Sequence, residues 1–137
     1  MAARRYAART EVSSSQSQGE VKDMLKRAGS DRISVYEDRE QSSVAFSMHE
    51  RFYRITVPMK AKVANPAQEE RVSWRLVVLM VKAKLEAVAQ GATTFEREFL
   101  ADMLMPDGRT VYETTREPLR LAYESGKMPT SLLLPGN

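Results

Sequence analysis

Residues 43–59, Ser-Val-Ala-Phe-Ser-Met-His-Glu-Arg-Phe-Tyr-Arg-Ile-Thr-Val-Pro-Met, hold two alternating runs separated by a polar break at 49–51. Successive side chains of a strand leave opposite faces of the pleat, so a period of two marks a half-buried strand. Val44, Phe46 and Met48 share one face of the first run, and Tyr53, Ile55, Val57 and Met59 share one face of the second. A third alternating run, 33–36, precedes them across a polar loop at 37–42. Short connections make an antiparallel meander the economical topology. With Ile33 and Val35 turned inward, Arg32, Ser34 and Tyr36 fall on the outer face with Ala45, Ser47, Phe52, Arg54 and Thr56.

Helices are expected on both sides of this meander. Asn65 before Pro66 predicts a helix start, because proline at the first helical position lacks an N–H that would go unpaired while Asn65 caps its neighbours. No breaker follows until Gly91, so a spine is predicted over 66–90, about 35 Å long. Its centre, Trp74 and Leu76 to Val81, is apolar nearly all round and must be covered beyond the sheet, by later helices or by a second copy of the chain. Upstream, Ser17 and Glu20 have capping-box spacing, and Val21, Met24, Leu25 and Ala28 form one helical face, predicting a helix over 18–28 that stops at Gly29. Downstream, Thr93 and Glu96 repeat that spacing ahead of Phe95, Phe99, Leu100 and Met103. Pro106-Asp107-Gly108 reads as the turn of a small hairpin. A last helix is predicted over 115–124, with Pro118 in its first turn and Gly126 as its stop.

The chain has 137 residues, one domain's worth, divided here into a flexible basic arm (1–16), a single domain (17–127) and a tail (128–137) with Leu132, Leu133 and Leu134 apolar. Hydrophobic residues at 42% and charged residues at 28% exclude a wholly disordered or fibrous chain. With no cysteine and one histidine, disulfide scaffolds, thiol nucleophiles and cysteine-based zinc sites are excluded. The net charge of +3 is concentrated at the N-terminal end, where residues 1–32 carry seven basic and four acidic groups. No apolar run is long enough to span a bilayer, so a soluble, intracellular protein without membrane contact is expected. Residues 1–18 also have the composition of an organelle transit peptide, interrupted by Glu11.

Catalytic sets are hard to assemble. Glu96, Glu98, Asp102 and Asp107 can in principle gather a divalent cation, with Glu98 and Asp102 one helical turn apart; the simpler reading is a solvated acidic face partly paired with Arg97. His49 beside a hairpin turn has no partner that would make it a general base, and the six single glycines form no phosphate loop. Neither a cofactor nor a metal is expected. Arg71, Arg75, Lys82 and Lys84 give the spine a basic side, offset by Glu69, Glu70 and Glu86. The more informative surface is the outer sheet face. Arg32, Tyr36, Phe52 and Arg54 displayed there suit the stacking of unpaired bases and the neutralising of phosphates, with Arg4, Arg5 and Arg9 of the arm adding backbone contacts. The alternative is that Tyr36 and Phe52 are core residues beneath a helix.

Three further stretches carry a resemblance: Trp74-Arg75-Leu76-Val77 through Lys82-Ala83-Lys84-Leu85-Glu86-Ala87-Val88, Thr94-Phe95-Glu96-Arg97-Glu98-Phe99-Leu100-Ala101, and Pro106-Asp107-Gly108-Arg109-Thr110-Val111. The series resembles a family of small, largely uncharacterised proteins of bacteriophages and mobile elements over about two-thirds of the chain. The resemblance implies a phage or mobile-element setting and the cytoplasm of a bacterial host cell; it transfers no catalytic residue. Such proteins often have a glycine near the second hairpin, where this chain has His49 and Glu50, and a longer polar loop before the spine. The order helix, three strands, long helix also resembles, at fold level, the core of single-strand annealing proteins.

The expected fold is α+β: a three-stranded antiparallel sheet on one long helix, with an N-terminal helix and two short C-terminal helices closing the far side. The expected function is a non-enzymatic accessory protein binding single-stranded nucleic acid through Arg32, Tyr36, Phe52 and Arg54. The rival class is a protein-interaction module that modulates a host or defence enzyme through the apolar tail or an exposed strip of the spine. A metal-dependent nuclease built on Glu98 and Asp102 is the minority class. Self-association is open, because the spine is apolar on so many sides.

Overall fold

A computed structural model describes residues 7–132, and Arg4, Arg5, Leu133 and Leu134 lie outside them. The fold is α+β. Helix α1 (Ser14–Ala28) leads into strands β1 (Ile33–Glu37), β2 (Gln41–Met48) and β3 (Arg51–Pro58). Helix α2 (Pro66–Ala89), the short α3 (Phe95–Phe99), a 3-10 turn (Leu100–Asp102) and helix α4 (Val111–Ser125) follow. The three strands form an antiparallel meander in the order β1-β2-β3. Its register sets Phe46 opposite Tyr53 and Val44 opposite Ile55, so the apolar sets meet on one buried face as the alternation requires.

Helix α2 lies under that face. Asn65 caps it by accepting the Gln68 amide at 3.1 Å, with Pro66 at its start. Trp74 is fully buried, and its Nε1 donates to Glu37 Oε2 at 2.7 Å, tying the spine to the end of β1. Ser73 Oγ donates to the Val57 carbonyl across the same interface. The other side of the spine is covered by α1, which inserts Val21 and Leu25, and by Phe95 and Phe99 of α3. Full burial of a leucine contributes about 1.5–3 kcal/mol, so α1 is held by packing more than by the half-exposed Arg75–Glu20 pair. Within one chain the spine therefore finds cover from the sheet, α1 and α3, while Met80 stays 40% exposed.

Several local expectations are corrected. Helix α1 begins four residues early: Ser13, accepting the Gln16 amide, is the cap, and Ser17 is a fully buried helix residue. The arm is anchored from Ala7, which is buried, and Gln68 Nε2 donates to the Ala8 and Thr10 carbonyls, so residues 7–16 belong to the domain and are not a loose arm. Thr94 instead of Thr93 caps α3, and Leu100 is exposed. The last helix starts at Val111 instead of 115, under a capping box of Thr110 and Glu113. Pro118 consequently sits in its interior, where it cannot donate to the Thr114 carbonyl, and the Thr114 and Thr115 hydroxyls back-bond to the Thr110 and Val111 carbonyls one turn earlier. Helix α4 packs on the 3-10 turn and leaves the spine to α1 and α3, so it does not close the far side.

Candidate binding surface

The outer face of the sheet is open to solvent. Register and alternation arrange it as three rows, Arg32·Ser47·Phe52, Ser34·Ala45·Arg54 and Tyr36·Ser43·Thr56. Tyr36 and Phe52 occupy opposite corners, about 16 Å apart from strand spacing and rise. They are 57% and 47% exposed, so neither is a core residue beneath a helix. Small residues between them, Ala45, Ser43 and Ser47, leave the centre low. The Ser43 and Thr56 hydroxyls meet at 3.3 Å, and Ser47 Oγ donates to Asp31 Oδ1 at 2.7 Å.

The C-terminal segment forms a wall along one side. Leu104 N donates to the Phe52 carbonyl at 2.8 Å, and Met103 bridges Tyr53, so this segment caps the outer edge of β3. The chain turns at Pro106 to Gly108, bridges back from Thr110 to Leu104, and enters α4. Tyr112, Glu113 and Asp102 thereby face Tyr36, Arg54 and Thr56 across a trough of about 700 Å³. A second hollow, about 430 Å³, lies at the other end between Arg32, Phe52, His49 and Gly29.

The charges of this surface are mostly committed. Arg54 Nη2 contacts Glu113 Oε1 at 2.8 Å, and its Nη1 donates to the Gly108 carbonyl at 3.4 Å. Glu113 also accepts the Thr110 amide and hydroxyl, and these bonds together with Arg54 hold its carboxyl below the usual glutamate range. Burial pushes the Asp102 carboxyl up, against the opposing pull of Lys84. Tyr36 donates to Asp38, whose other oxygen accepts the Glu40 and Gln41 amides of the β1–β2 turn. Arg32 is exposed and makes no ion pair among the described residues. Across the two hollows Asp31, Glu50, Asp102 and Glu113 outnumber Arg32 and Arg54, so the face is not a cationic patch.

The structure thus brings Arg32, Tyr36, Phe52 and Arg54 onto one accessible face, with Arg54 already engaged as an ion-pair partner and Arg32 alone of the two unpaired. Arg9 is exposed near the start of α2. Tyr112, Glu113 and Asp102 are additions that the sequence reading did not place at the site. The Thr110-x-x-Glu113 spacing was the available signal for the first two. The acidic group near α3 is dispersed: Glu96 pairs with Arg51 instead of Arg97, and among the described residues no three His, Asp or Glu side chains are placed to hold a metal ion. The basic side of the spine is largely spent internally, Arg71 on Gln68, Arg75 on Glu20, and Lys84 on the Glu98 carbonyl and the Phe99 ring. Among the described residues no helix is long and apolar enough to cross a membrane. No family model, curated protein sequence or solved structure matches this chain.

Proposed function

We propose that this chain is a non-enzymatic accessory protein, in the phage or mobile-element setting implied by its motif series, that recognises a protein partner on the open sheet face. The observation that carries the reading is the composition of that face: two exposed rings, Tyr36 and Phe52, over a floor of alanine and serine, rimmed by more carboxylates than guanidiniums. Such a surface suits a segment presenting apolar and basic side chains, because aromatic anchors supply contact area while the rim carboxylates choose the sign of charge. A polyanion gains little from Arg54, already paired with Glu113, on a face where acids outnumber bases.

The experiment is site-specific photo-crosslinking in the host, with the photoreactive residue at position 36 or 52 and, as a control, at Lys22 on α1. One protein captured at 36 and 52 and absent from the control supports the reading. Loss of that adduct in a Glu113→Lys/Asp102→Lys background would show that the rim acids select it. No position-specific protein adduct overturns it.

Single-stranded nucleic acid is the second reading, favoured by the same exposed rings and by the unpaired Arg32. Fluorescence anisotropy with a labelled oligonucleotide separates the two. Binding at low salt that weakens steeply as salt rises, and that is lost in Phe52→Ala, would replace a protein partner by nucleic acid.

A further inference from the structure

The two outer edges of the sheet differ. Met103 and Leu104 bridge the outer side of β3 at Phe52 and Tyr53, whereas among the described residues nothing pairs with any part of the outer side of β1. Two ladder bonds show which way the β1 backbone faces. Ser47 N donates to the Arg32 carbonyl and Asp38 N to the Gln41 carbonyl, so residues 32, 34, 36 and 38 bond inward to β2. The amides and carbonyls of Ile33, Val35 and Glu37 therefore point outward, three donors and three acceptors in a row. Natural sheets protect such edges with proline, bulges or lysine, and β1 has none of these. Its one charge, Glu37, is drawn to Trp74.

We infer that β1 pairs antiparallel with β1 of a second copy of this chain about a two-fold axis at Val35, making a continuous six-stranded sheet. The occupant is identified by complementarity. In that register Val35 faces its own copy and Ile33 faces Glu37, so every outward amide and carbonyl meets a partner. On the outer face Ser34 lies opposite Tyr36, and Arg32 lies opposite Asp38, twice by symmetry. Arg32 is exposed and has no ion pair among the described residues, and Asp38, which accepts from Tyr36, Glu40 and Gln41 within its own chain, is exposed at the far end of the same strand edge. Moving the axis to Ser34 sets Asp31 against Glu37, like charges, and moving it to Tyr36 sets Ile33 against Arg39, beyond the end of β1, so charge and strand length together select the Val35 register. Ile33 and Val35, partly buried against the core, gain cover from the second copy. This inference does not depend on which partner the outer face takes.

Light scattering on the full chain at concentrations up to about 100 μM tests it, a range that populates a dimer of micromolar Kd. The wild type is expected at twice the protomer mass. Val35→Pro removes an outward N–H and no ladder bond to β2, so it is expected to be monomeric with an unchanged circular dichroism spectrum. Arg32→Asp and Asp38→Arg each set like charges opposite one another and are expected to weaken the dimer by about tenfold or more. An equimolar mixture of those two variants restores both opposite-charge pairs in the mixed dimer and is expected to recover association. A wild type that stays monomeric throughout the range overturns the inference, as does a dimer indifferent to all three substitutions or a mixture no tighter than its components.

Discussion

Arg54 Nη2 meets Glu113 Oε1 at 2.8 Å, and that same carboxylate oxygen receives the Thr110 amide and hydroxyl at 3.1 and 3.0 Å. One oxygen thus joins the third strand to the first turn of the last helix and closes that helix's capping box. The two roles are separable by chemistry. Glutamine retains the reach-back of a capping box but not the charge, so Glu113→Gln is expected to change stability by less than about 1 kcal/mol, while Glu113→Ala loses the cap and costs about 1 kcal/mol. Chemical denaturation of the two variants measures the difference; equal losses would mean that the ion pair, and not the cap, dominates.

The same carboxylate makes stability depend on acid. Its folded-state pKa lies below the ordinary glutamate value, first through the Thr110 amide and with help from Arg54. A depressed carboxylate pKa means that the folded state resists protonation more than the unfolded chain does. Its stabilisation is complete above the ordinary glutamate range and is lost as pH falls through the folded value. The stability gap between wild type and Glu113→Ala is therefore expected to narrow steadily in thermal melts taken at decreasing acidic pH. A gap that holds constant would show that Glu113 acts without its charge.

Asp102 has the opposite sign. Burial raises its pKa, so its ionised form is tolerated less well folded than unfolded. That cost is present above the folded pKa and disappears as pH drops below the ordinary aspartate value. Asp102→Asn is expected to raise the melting temperature slightly at neutral pH and to lose this advantage in acid. A variant less stable than wild type at neutral pH would mean that the attraction of Lys84 outweighs desolvation.

The β2–β3 hairpin is closed by two residues, His49 and Glu50, with φ of 52° and 66°. Left-handed backbone at a residue with a Cβ costs about 1–2 kcal/mol, and the second position of such a turn is where glycine is preferred. Glu50→Gly is expected to stabilise the protein by about 1 kcal/mol in denaturant titrations. His49 suits replacement less well, because its ring lies edge-on to Phe95 at 5.8 Å. No gain from glycine would place the strain elsewhere in the hairpin.

Ser17 is fully buried in α1, and its hydroxyl has no hydrogen-bond partner among the described residues. An unpaired buried hydroxyl costs about 1–3 kcal/mol, and alanine is the better helix former. Ser17→Ala is expected to raise stability by about 1 kcal/mol, read from the same titration. A loss instead would reveal a packing role for the oxygen.

The strands were legible because one face is sealed and the other wet, so alternation over 43–59 survives as a pattern. The spine was legible because Asn65-Pro66 and Gly91 are strong local signals. The start of α1 was not, because Ser13, Ser14, Ser15 and Ser17 are chemically equivalent caps and only packing of Ser17 into the interior chooses among them. The start of α4 at Val111 instead of 115 has a different cause. A proline reads most simply as a first-turn residue, its commonest place, yet Thr110 and Glu113 carry the capping pattern eight and five residues upstream of Pro118. The outer-face rings were legible from alternation alone. Their wall was not: Glu113 lies 59 residues from Arg54, and no local periodicity encodes a meeting at that range.

Among the described residues helix α4 is moored by its N-terminal half, where Thr114, Thr115 and Pro118 are buried. Its first turn is fastened through Thr110, Glu113 and the Leu104 bridge, while Leu119, Leu121 and Tyr123 farther along remain 45%, 49% and 90% exposed. A ligand between Tyr36 and Tyr112 would lean on that mooring, and its binding is then expected to change how readily the terminal turns of α4 exchange their amide hydrogens with water.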